Sequence, residues 1–204
     1  MNDIHRNEAE LEGLVQTPPA YSHENHGKPF YRCLLSVPRL SGQVDLLPLL
    51  LPEELQSAAV PGERLRLQGQ LRSFNNRSGQ GSRLVLSTHA LALLPPTGEN
   101  GNRILLQGVL CKDPTYRRTP LGRSICDLML AVSRRYGRAD YLPLIAWGQL
   151  ASQLSRRGVG DVLALEGRIQ SRSYRKRTEE GTEERTAYEV SLTALTQGDP
   201  EWVG

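Results

Sequence analysis

The sequence has few of the residues on which several common protein classes depend. Its 204 residues include three cysteines, Cys33, Cys111 and Cys126, and no two of them have CxxC spacing. Disulfide scaffolds and four-cysteine zinc sites are therefore poorly supported. The cysteines are expected to be small buried hydrophobic residues.

Long apolar runs are also missing. A membrane helix needs about 20 apolar residues, whereas the densest apolar stretch here, residues 46–51, is interrupted by Pro48 and ended by Pro52. The first six residues contain no apolar core of a signal peptide. The sequence therefore predicts a cytoplasmic protein that does not associate with membranes.

Signatures of catalysis and of metal binding are not found either. The sequence contains no phosphate-binding glycine loop, no nucleophile elbow and no readable acid and base pair. His23 and His26 fall in a polar loop that has no cysteine at ligand spacing. We therefore predict that the protein is not an enzyme and binds no cofactor and no metal.

Arginine, in contrast, is abundant. Of the 25 basic residues only Lys28, Lys112 and Lys176 are lysines, and residues 99–204 contain 16 basic and 13 acidic residues, against 9 and 9 in residues 1–98. The guanidinium group hydrogen-bonds phosphate through a planar fork and stacks on bases. A GC-rich genome is the alternative explanation for so much arginine.

The chain also repeats itself, in the same order in both halves. The matching segments are 11–15 with 106–110, 34–37 with 130–133, 45–49 with 140–144, 62–65 with 160–163, and 88–91 with 192–195. From the third pair onward the offset grows from 95 to 98 and then 104, at segments that look like loops. This is the behaviour of a duplicated domain whose loops have lengthened.

Each copy reads mainly as strands. Leu128, Leu130 and Val132 alternate with more polar positions, which is typical of half-buried strands, and a helix is predicted over 149–157 between strands three and four. A shorter helix over 53–59, entered through Pro52, occupies the same place in the first copy. The pattern predicts an all-β protein of two tandem OB-folds, which are five-stranded Greek-key barrels, each with one short helix between strands 3 and 4.

The expected domains follow from this repeat. We assign 1–95 to a divergent N-terminal OB-fold, 96–102 to a linker, 103–196 to a C-terminal OB-fold, and 197–204 to a short tail.

The clearest chemical signal is the third strand of the second copy. Strand alternation places Leu142, Leu144 and Ala146 on one face and the aromatic residues Tyr141 and Trp147 on the other, together with Pro143 and Ile145. Aromatic residues on the open face of an OB-fold form stacking platforms for bases. The alternative is that Trp147 only anchors the helix that follows it.

Two further segments of the second copy interleave aromatic and basic residues. Tyr136 lies among Arg134, Arg135 and Arg138, and Tyr174 lies among Arg172, Arg175, Lys176 and Arg177, at the start of a long hairpin. Cations suit phosphates and rings suit exposed bases. A solvated hairpin tip is the alternative, and the acidic run 179–184 fits it.

The first copy lacks most of these features. Leu46 and Pro52 stand where the second copy has Tyr141 and Trp147, so its open face is expected to be aliphatic and suited to packing against protein. We predict a pairing or scaffold domain that contacts DNA weakly through Arg72, Phe74 and Arg77.

Taken together, six segments of the second half resemble the bacterial single-stranded DNA-binding protein family. They are 102–108, 113–114, 119–122, 130–134, 146–151 and 166–174. The resemblance implies that bases stack on Tyr136, Tyr141, Trp147 and Tyr174. The phosphate-binding residues are expected to be Arg103, Arg134, Arg135, Arg138, Arg168, Arg172, Arg175, Lys176 and Arg177.

The resemblance also implies a role. A non-catalytic protein of this kind coats or protects single-stranded DNA in replication, repair or recombination, and is associated with the nucleoid. The family usually assembles four OB-folds, so a chain with two is expected to be a homodimer. Residues 197–204 contain two acids and Trp202 but no spacer, which makes recruitment of other proteins through the tail doubtful. The alternative is an OB-fold adaptor of a primosome or of a mobile-element replication complex, with weak affinity for DNA.

Overall fold

The computed structural model describes residues 5–76, 83–134, 137–178 and 181–196. The first copy contains β1 (Arg6–Val15), β2 (Ala20–Asn25), β3 (Lys28–Pro38), β4 (Val44–Pro52), α1 (Glu53–Gln56), β5 (Arg64–Asn75) and β6 (Leu84–Leu94). The second copy contains β7 (Gly101–Leu110), β8 (Thr115–Arg118), β9 (Ser124–Ser133), β10 (Ala139–Trp147), α2 (Gly148–Leu154), β11 (Val162–Thr178) and β12 (Gly181–Leu195).

Five strands close into a ring in each copy. In the first, β1 pairs with β3 and β5, β3 pairs with β4, β4 runs parallel to β6, and β6 returns to β5. In the second, β7, β9, β10, β12 and β11 repeat the same cycle, again with one parallel pair. The two predicted OB-folds are confirmed, and each has its helix after the third strand of the ring.

Strands β2 and β8 are additions that we did not predict. Each lies at the edge of the sheet and pairs with the second ring strand of its copy, β2 with β3 and β8 with β9. Nearly all of their residues are exposed. Because neither strand buries one of its faces, the alternation that reveals the other strands is missing here.

Strand pairing corrects two of the segment matches made from sequence. Leu35 pairs with Leu47 and Leu130 pairs with Leu142, so β3 and β9 match at an offset of 95 and not at 96. Leu49 pairs with Thr88 and Leu144 pairs with Val190, which gives β6 and β12 an offset of 102 and not 104. A short apolar segment still matches when it is shifted by one or two residues along an alternating strand, whereas the hydrogen-bonded pairs fix the register.

Glycine allows the ring to close at equivalent places in both copies. A Cβ atom at Gly13 would lie 2.3 Å from the carbonyl oxygen of Ser36, and one at Gly108 would lie 2.5 Å from that of Ala131. Two backbones therefore approach more closely here than any side chain permits.

The hairpin after the second ring strand is also duplicated residue by residue. The Arg39 N–H donates to Gln43 O and the Arg134 N–H donates to Arg138 O, both at 2.7 Å. Each arginine then forms an ion pair with a fully buried aspartate, Arg39 with Asp45 and Arg134 with Asp140. This repeated pair supports the duplication more directly than the apolar matches do.

The described chain divides into two compact units. One contains Glu8–Arg103 together with Gln170–Ala187, and the other contains Ile104–Ile169 together with residues 5–7 and 188–196. The outer part of the β11–β12 hairpin therefore groups with the first copy.

Both helices are shorter than predicted. The predicted segment 149–157 forms α2 only to Leu154, and the N–H groups of Arg156 and Arg157 then donate to the carbonyls three residues back. Ala151 and Leu154 are buried, so they fix the helix against the barrel. Neither helix in the described part of the chain could span a membrane.

Candidate nucleic-acid interface

Strand β10 presents its two aromatic residues on the outer face of the second barrel. Leu142, Leu144 and Ala146 are buried in the core, as predicted. On the alternate positions, Tyr141 is 51% exposed and Trp147 is 40% exposed. Large rings with this much exposure, held on a strand that is fixed from behind, can stack on bases with little conformational cost.

Two neighbours complete this face. Pro143 lies between the aromatic residues and is half-buried. Ile145 shares their side of the strand but is buried, so that it supports the face without being accessible. The rigid part of the surface therefore comprises Tyr141, Pro143 and Trp147.

Trp147 ends the strand where helix α2 begins. Its backbone is extended, at φ −125° and ψ 151°, and Gly148 follows with φ +57°, a left-handed conformation that turns the chain into the helix. The residues that α2 buries are Ala151 and Leu154. Trp147 keeps 40% of its surface exposed, which an anchor for the helix would not need.

Arg168 lies on the outer face of β11, in the same barrel. Its neighbours Leu165, Gly167 and Ile169 are buried and face the core, so Arg168 points to the other side of the strand. Strand β12 lies between β11 and β10 in the sheet. The Nε of Arg168 is enclosed and has no hydrogen-bond partner in the part of the chain that the structure describes.

Arg134 has a different environment from the one we expected. Its Nε donates to Asp140 Oδ2 at 2.5 Å and its Nη2 donates to Asp140 Oδ1, which makes the pair bidentate. Since Asp140 is fully buried, this arginine holds the β9–β10 hairpin. Arg138 is exposed on the same hairpin, and Arg135 and Tyr136 lie outside the described residues.

The basic segment of β11 lies in the other compact unit. Tyr174 is half-buried, and the guanidinium of Arg172 lies 5.7 Å from the centre of its ring, at cation–π distance. Arg175, Lys176 and Arg177 are exposed. Arg103, on β7, is exposed as well and belongs to the same unit.

Ser171 fixes the start of this segment. Its N–H and its Oγ both donate to Asp45 Oδ1 at 2.8 Å, and Arg39 Nη2 donates to its carbonyl oxygen at 2.7 Å. Burial raises the pKa of Asp45, but the hydrogen bonds from Arg39 and Ser171 outweigh burial and hold the pKa below its ordinary value. An ionised buried carboxylate therefore orders the base of the hairpin.

The first copy also carries an aromatic row that we missed. Phe30 stacks with His23, with ring centres 5.4 Å apart and planes at 17°, and meets His89 edge to face at 5.1 Å. Phe30 pairs with Pro52, whereas in the second copy Ile125 pairs with Trp147. The expectation of a purely aliphatic face was wrong because the aromatic residue at this level lies on the neighbouring strand.

Of the first-copy residues that we did predict, Arg72 and Phe74 lie on β5. Arg72 Nη2 donates to Gln70 Oε1 at 2.5 Å, and Phe74 is 56% exposed. Arg77 lies outside the described residues.

Groups that could support other chemistry are few. The described residues contain no cluster of histidine, cysteine or carboxylate groups that could hold a metal ion. Burial raises the pKa of the Cys33 thiol to about 11, so it is protonated at neutral pH.

Comparison with known proteins agrees with this geometry. The sequence model of the single-strand binding protein family matches residues 101–196. This part of the chain is therefore similar to the single-strand binding protein family. The matched residues contain all strands from β7 to β12 and therefore the whole second OB-fold. They include Tyr141 and Trp147 on β10 and Arg168 on β11.

Relatives of the family region share moderate identity. The single-stranded DNA-binding protein of Clostridium tetani is 39% identical over 80 residues, which are 36% of this chain and 55% of that protein. Single-stranded DNA-binding protein 3 of Clostridium acetobutylicum is 38% identical over 80 residues, 36% of this chain and 56% of that protein. The chain thus spans little more than half the length of these relatives.

A solved structure resembles the whole chain. The wild-type single-stranded DNA binding protein from Thermus aquaticus covers 96% of this chain with 94% of its own, at a TM-score of 0.73 and 22% identity. This likeness establishes the fold of both halves.

Proposed function

We propose that the protein is a non-catalytic single-stranded DNA-binding protein that coats or protects DNA in replication, repair or recombination. The observation that carries this proposal is the pair of exposed rings, Tyr141 and Trp147, on the outer face of the family-matched OB-fold. Unpaired bases offer faces for stacking, whereas bases in a duplex are already stacked on each other. The proposal therefore includes a preference for single strands.

Bases and phosphates are proposed to bind to different residues. The residues proposed to stack on bases are Tyr141, Trp147, Tyr174 and Tyr136. Arg168, Arg138, Arg103, Arg172, Arg175, Lys176, Arg177 and Arg135 are proposed to bind phosphates. Arg134 acts differently, because its ion pair with Asp140 makes it a positioning residue for the hairpin that carries Arg138.

The two halves are proposed to have different roles. Residues 103–196 form the main DNA-binding domain, 96–102 link it to the domain 1–95, and 197–204 form the tail. Two hydrogen bonds hold the first residues of this segment in place, because the N–H groups of Thr97 and Gly98 both donate to Glu12 Oε1 at 2.9 Å. The first domain is proposed to serve pairing and to contact DNA more weakly through Arg72, Phe74 and Arg77.

A homodimer with four OB-folds, associated with the nucleoid in the cytoplasm, completes the proposal. The homodimer is proposed by analogy with the family. We expect the protein in solution to have a mass of twice 22.7 kDa.

Fluorescence anisotropy with a labelled dT oligomer tests the function. Tyr141→Ala combined with Trp147→Ala should weaken binding by about 5- to 150-fold for each base stack lost. Leu121→Ala, which removes an exposed apolar side chain elsewhere in the second copy, should leave the affinity unchanged. Weak binding by the unmodified chain, or equal affinity for a duplex, would instead favour the adaptor of a replication complex.

A further inference from the structure

A groove of about 430 Å³ lies where the end of β12 meets β11 and β7 in the second copy. Its lining includes the apolar side chains of Val162 and Leu195, the amide of Gln107 and the guanidinium of Arg157. Val162 is 47% exposed and Leu195 is 37% exposed, so apolar surface is accessible there. None of its described lining residues belongs to the set proposed above to bind DNA.

The equivalent place in the first copy is occupied by the chain itself. Strand pairing identifies it, because Glu12 is opposite Arg66 on β1 and β5 as Gln107 is opposite Ala164 on β7 and β11. The segment that crosses this place is 95–100, which directly follows β6.

Four described contacts hold the segment 95–100 in the first copy. The N–H groups of Thr97 and Gly98 both donate to Glu12 Oε1 at 2.9 Å, and the Thr97 hydroxyl donates to Glu12 Oε2 at 2.6 Å. Arg66 Nη1 donates to Pro95 O at 3.1 Å. The first barrel therefore binds the stretch of chain that leaves its last strand.

Residues 197–204 leave the last strand of the second copy in the same way. Thr196, which precedes them, itself lines the groove, and its N–H donates to Ala164 O at 2.9 Å. Eight extended residues span at most about 29 Å. The segment is thus long enough to cross a groove that begins at its own first residue.

The lining of the groove differs between the copies in charge. The first-copy residues Glu12, Arg64 and Arg66 have the counterparts Gln107, Val162 and Ala164. The second copy also gains a cation, because Arg157 follows α2 at the distance at which Ala59 follows α1. Its groove is therefore apolar with one guanidinium group, whereas the first is lined by an acid and two bases.

The two segments differ in the matching sense. The segment 95–100 has one carboxylate and no aromatic residue, whereas 197–204 has the carboxylates Asp199 and Glu201 followed by Trp202 and Val203. A large apolar ring suits an apolar groove, and a carboxylate suits a guanidinium group.

Arg157 is able to accept such a carboxylate. Its side chain is 50% exposed, and its contact with Asp161 Oδ2 is 4.0 Å long, between two exposed side chains. Exposed ion pairs of this kind contribute little. A second carboxylate can therefore replace this contact or share the guanidinium group.

We infer that the groove binds residues 197–204 of the same chain. The ring of Trp202 packs on Val162 and Leu195, and a carboxylate of the segment pairs with Arg157. Pro200 stands where the linker has Gly98 and has no N–H, so one of the linker's hydrogen bonds is not repeated and the indole ring supplies the main contact. A segment held in this way is not available to recruit other proteins.

The test makes Trp202 the sole tryptophan of the full chain, through Trp147→Phe, and is carried out without DNA. Docking should shift the emission of Trp202 to shorter wavelength and protect it from acrylamide, relative to the same chain unfolded in urea. Val162→Asp places a carboxylate in the groove, which repels the acidic segment and removes apolar contact. This variant should lose both the shift and the protection.

Controls separate docking from damage to the fold. Leu121→Asp makes the same change at a position that is 88% exposed and does not line the groove, so Trp202 should stay protected. Arg157→Ala should reduce the protection, and Arg157→Lys should restore most of it because the charge is retained. Circular dichroism of each variant confirms that the barrels are intact.

Three results would overturn the inference. The first is a Trp202 that acrylamide quenches as readily in the folded chain as in urea. The second is protection that Val162→Asp leaves unchanged, since the segment would then lie elsewhere. The third is protection that disappears on dilution, which would show that the groove takes the segment of a second copy. Because no DNA is present, each of these results leaves the proposed function standing.

Discussion

Individual charged residues separate into those that hold the fold and those available to a ligand. Arg39 and Arg134 are each held by a buried aspartate. Arg138 and Arg175, which belong to the same kind of basic segment, are exposed. Sequence alone could not distinguish the two groups, because the aspartates lie six residues away on the next strand.

The buried pair of the first copy should make stability depend on pH. Since the folded-state pKa of Asp45 lies below its ordinary value, its contribution is present above about pH 5 and is lost as the pH falls towards the folded-state pKa. Asp45→Asn should lower the free energy of unfolding by about 3 kcal/mol at neutral pH, and by less near about pH 3. Urea unfolding at both pH values measures this.

The matched control is the surface pair between Arg117 and Asp127, in which both side chains are at least 41% exposed. Asp127→Asn should cost less than about 1 kcal/mol. A loss for Asp45→Asn that stays constant between the two pH values would show that its charge is not the stabilising feature.

At the level of strands and turns, the close approach of β1 to β3 and of β7 to β9 controls closure of each barrel. Gly108→Ala would bring a Cβ atom to 2.5 Å from Ala131 O, so we expect a loss of about 1–3 kcal/mol in the free energy of unfolding. Gly158→Ala, where a Cβ atom meets nothing within 4 Å, is the control and should be nearly neutral. Equal stability of the two variants in chemical denaturation would contradict this account of ring closure.

The elements that could be predicted from sequence are those that bury one face. Alternation located Leu142, Leu144 and Ala146 in the core and thereby placed Tyr141 and Trp147 outside. The edge strands β2 and β8 bury neither face and left no such pattern.

The row His23–Phe30–His89 was missed for a related reason. It comes from three strands and depends on pairing that no local pattern specifies. A position-by-position comparison of the copies does not reveal it. The first copy has Pro52 on β4 at the position of Trp147, and its aromatic residue, Phe30, lies on β3 at the position of Ile125.

For the whole molecule, phosphate contacts should appear as salt dependence. The logarithm of the association constant for a single strand falls with the logarithm of salt concentration by about 0.7 per phosphate neutralised. Arg168→Ala should therefore reduce the slope by about 0.7. Arg117→Ala, whose guanidinium is paired with Asp127, should leave it unchanged, and the reverse result would contradict the assignment of Arg168.

Assembly is the second property of the whole molecule. Light scattering behind size exclusion should give twice the chain mass of 22.7 kDa if the proposed homodimer forms. A mass equal to that of one chain at working concentrations would contradict the proposed homodimer.

The central claim is that Trp147 stacks on bases of single-stranded DNA. Trp147 and Trp202 are the two tryptophans of the chain, so a Trp202→Phe variant makes Trp147 the sole tryptophan reporter. Its fluorescence should be quenched on titration with a dT oligomer of about 15 nucleotides and should be little changed by a duplex of the same length. Unchanged fluorescence at saturating single-stranded DNA would contradict the claim.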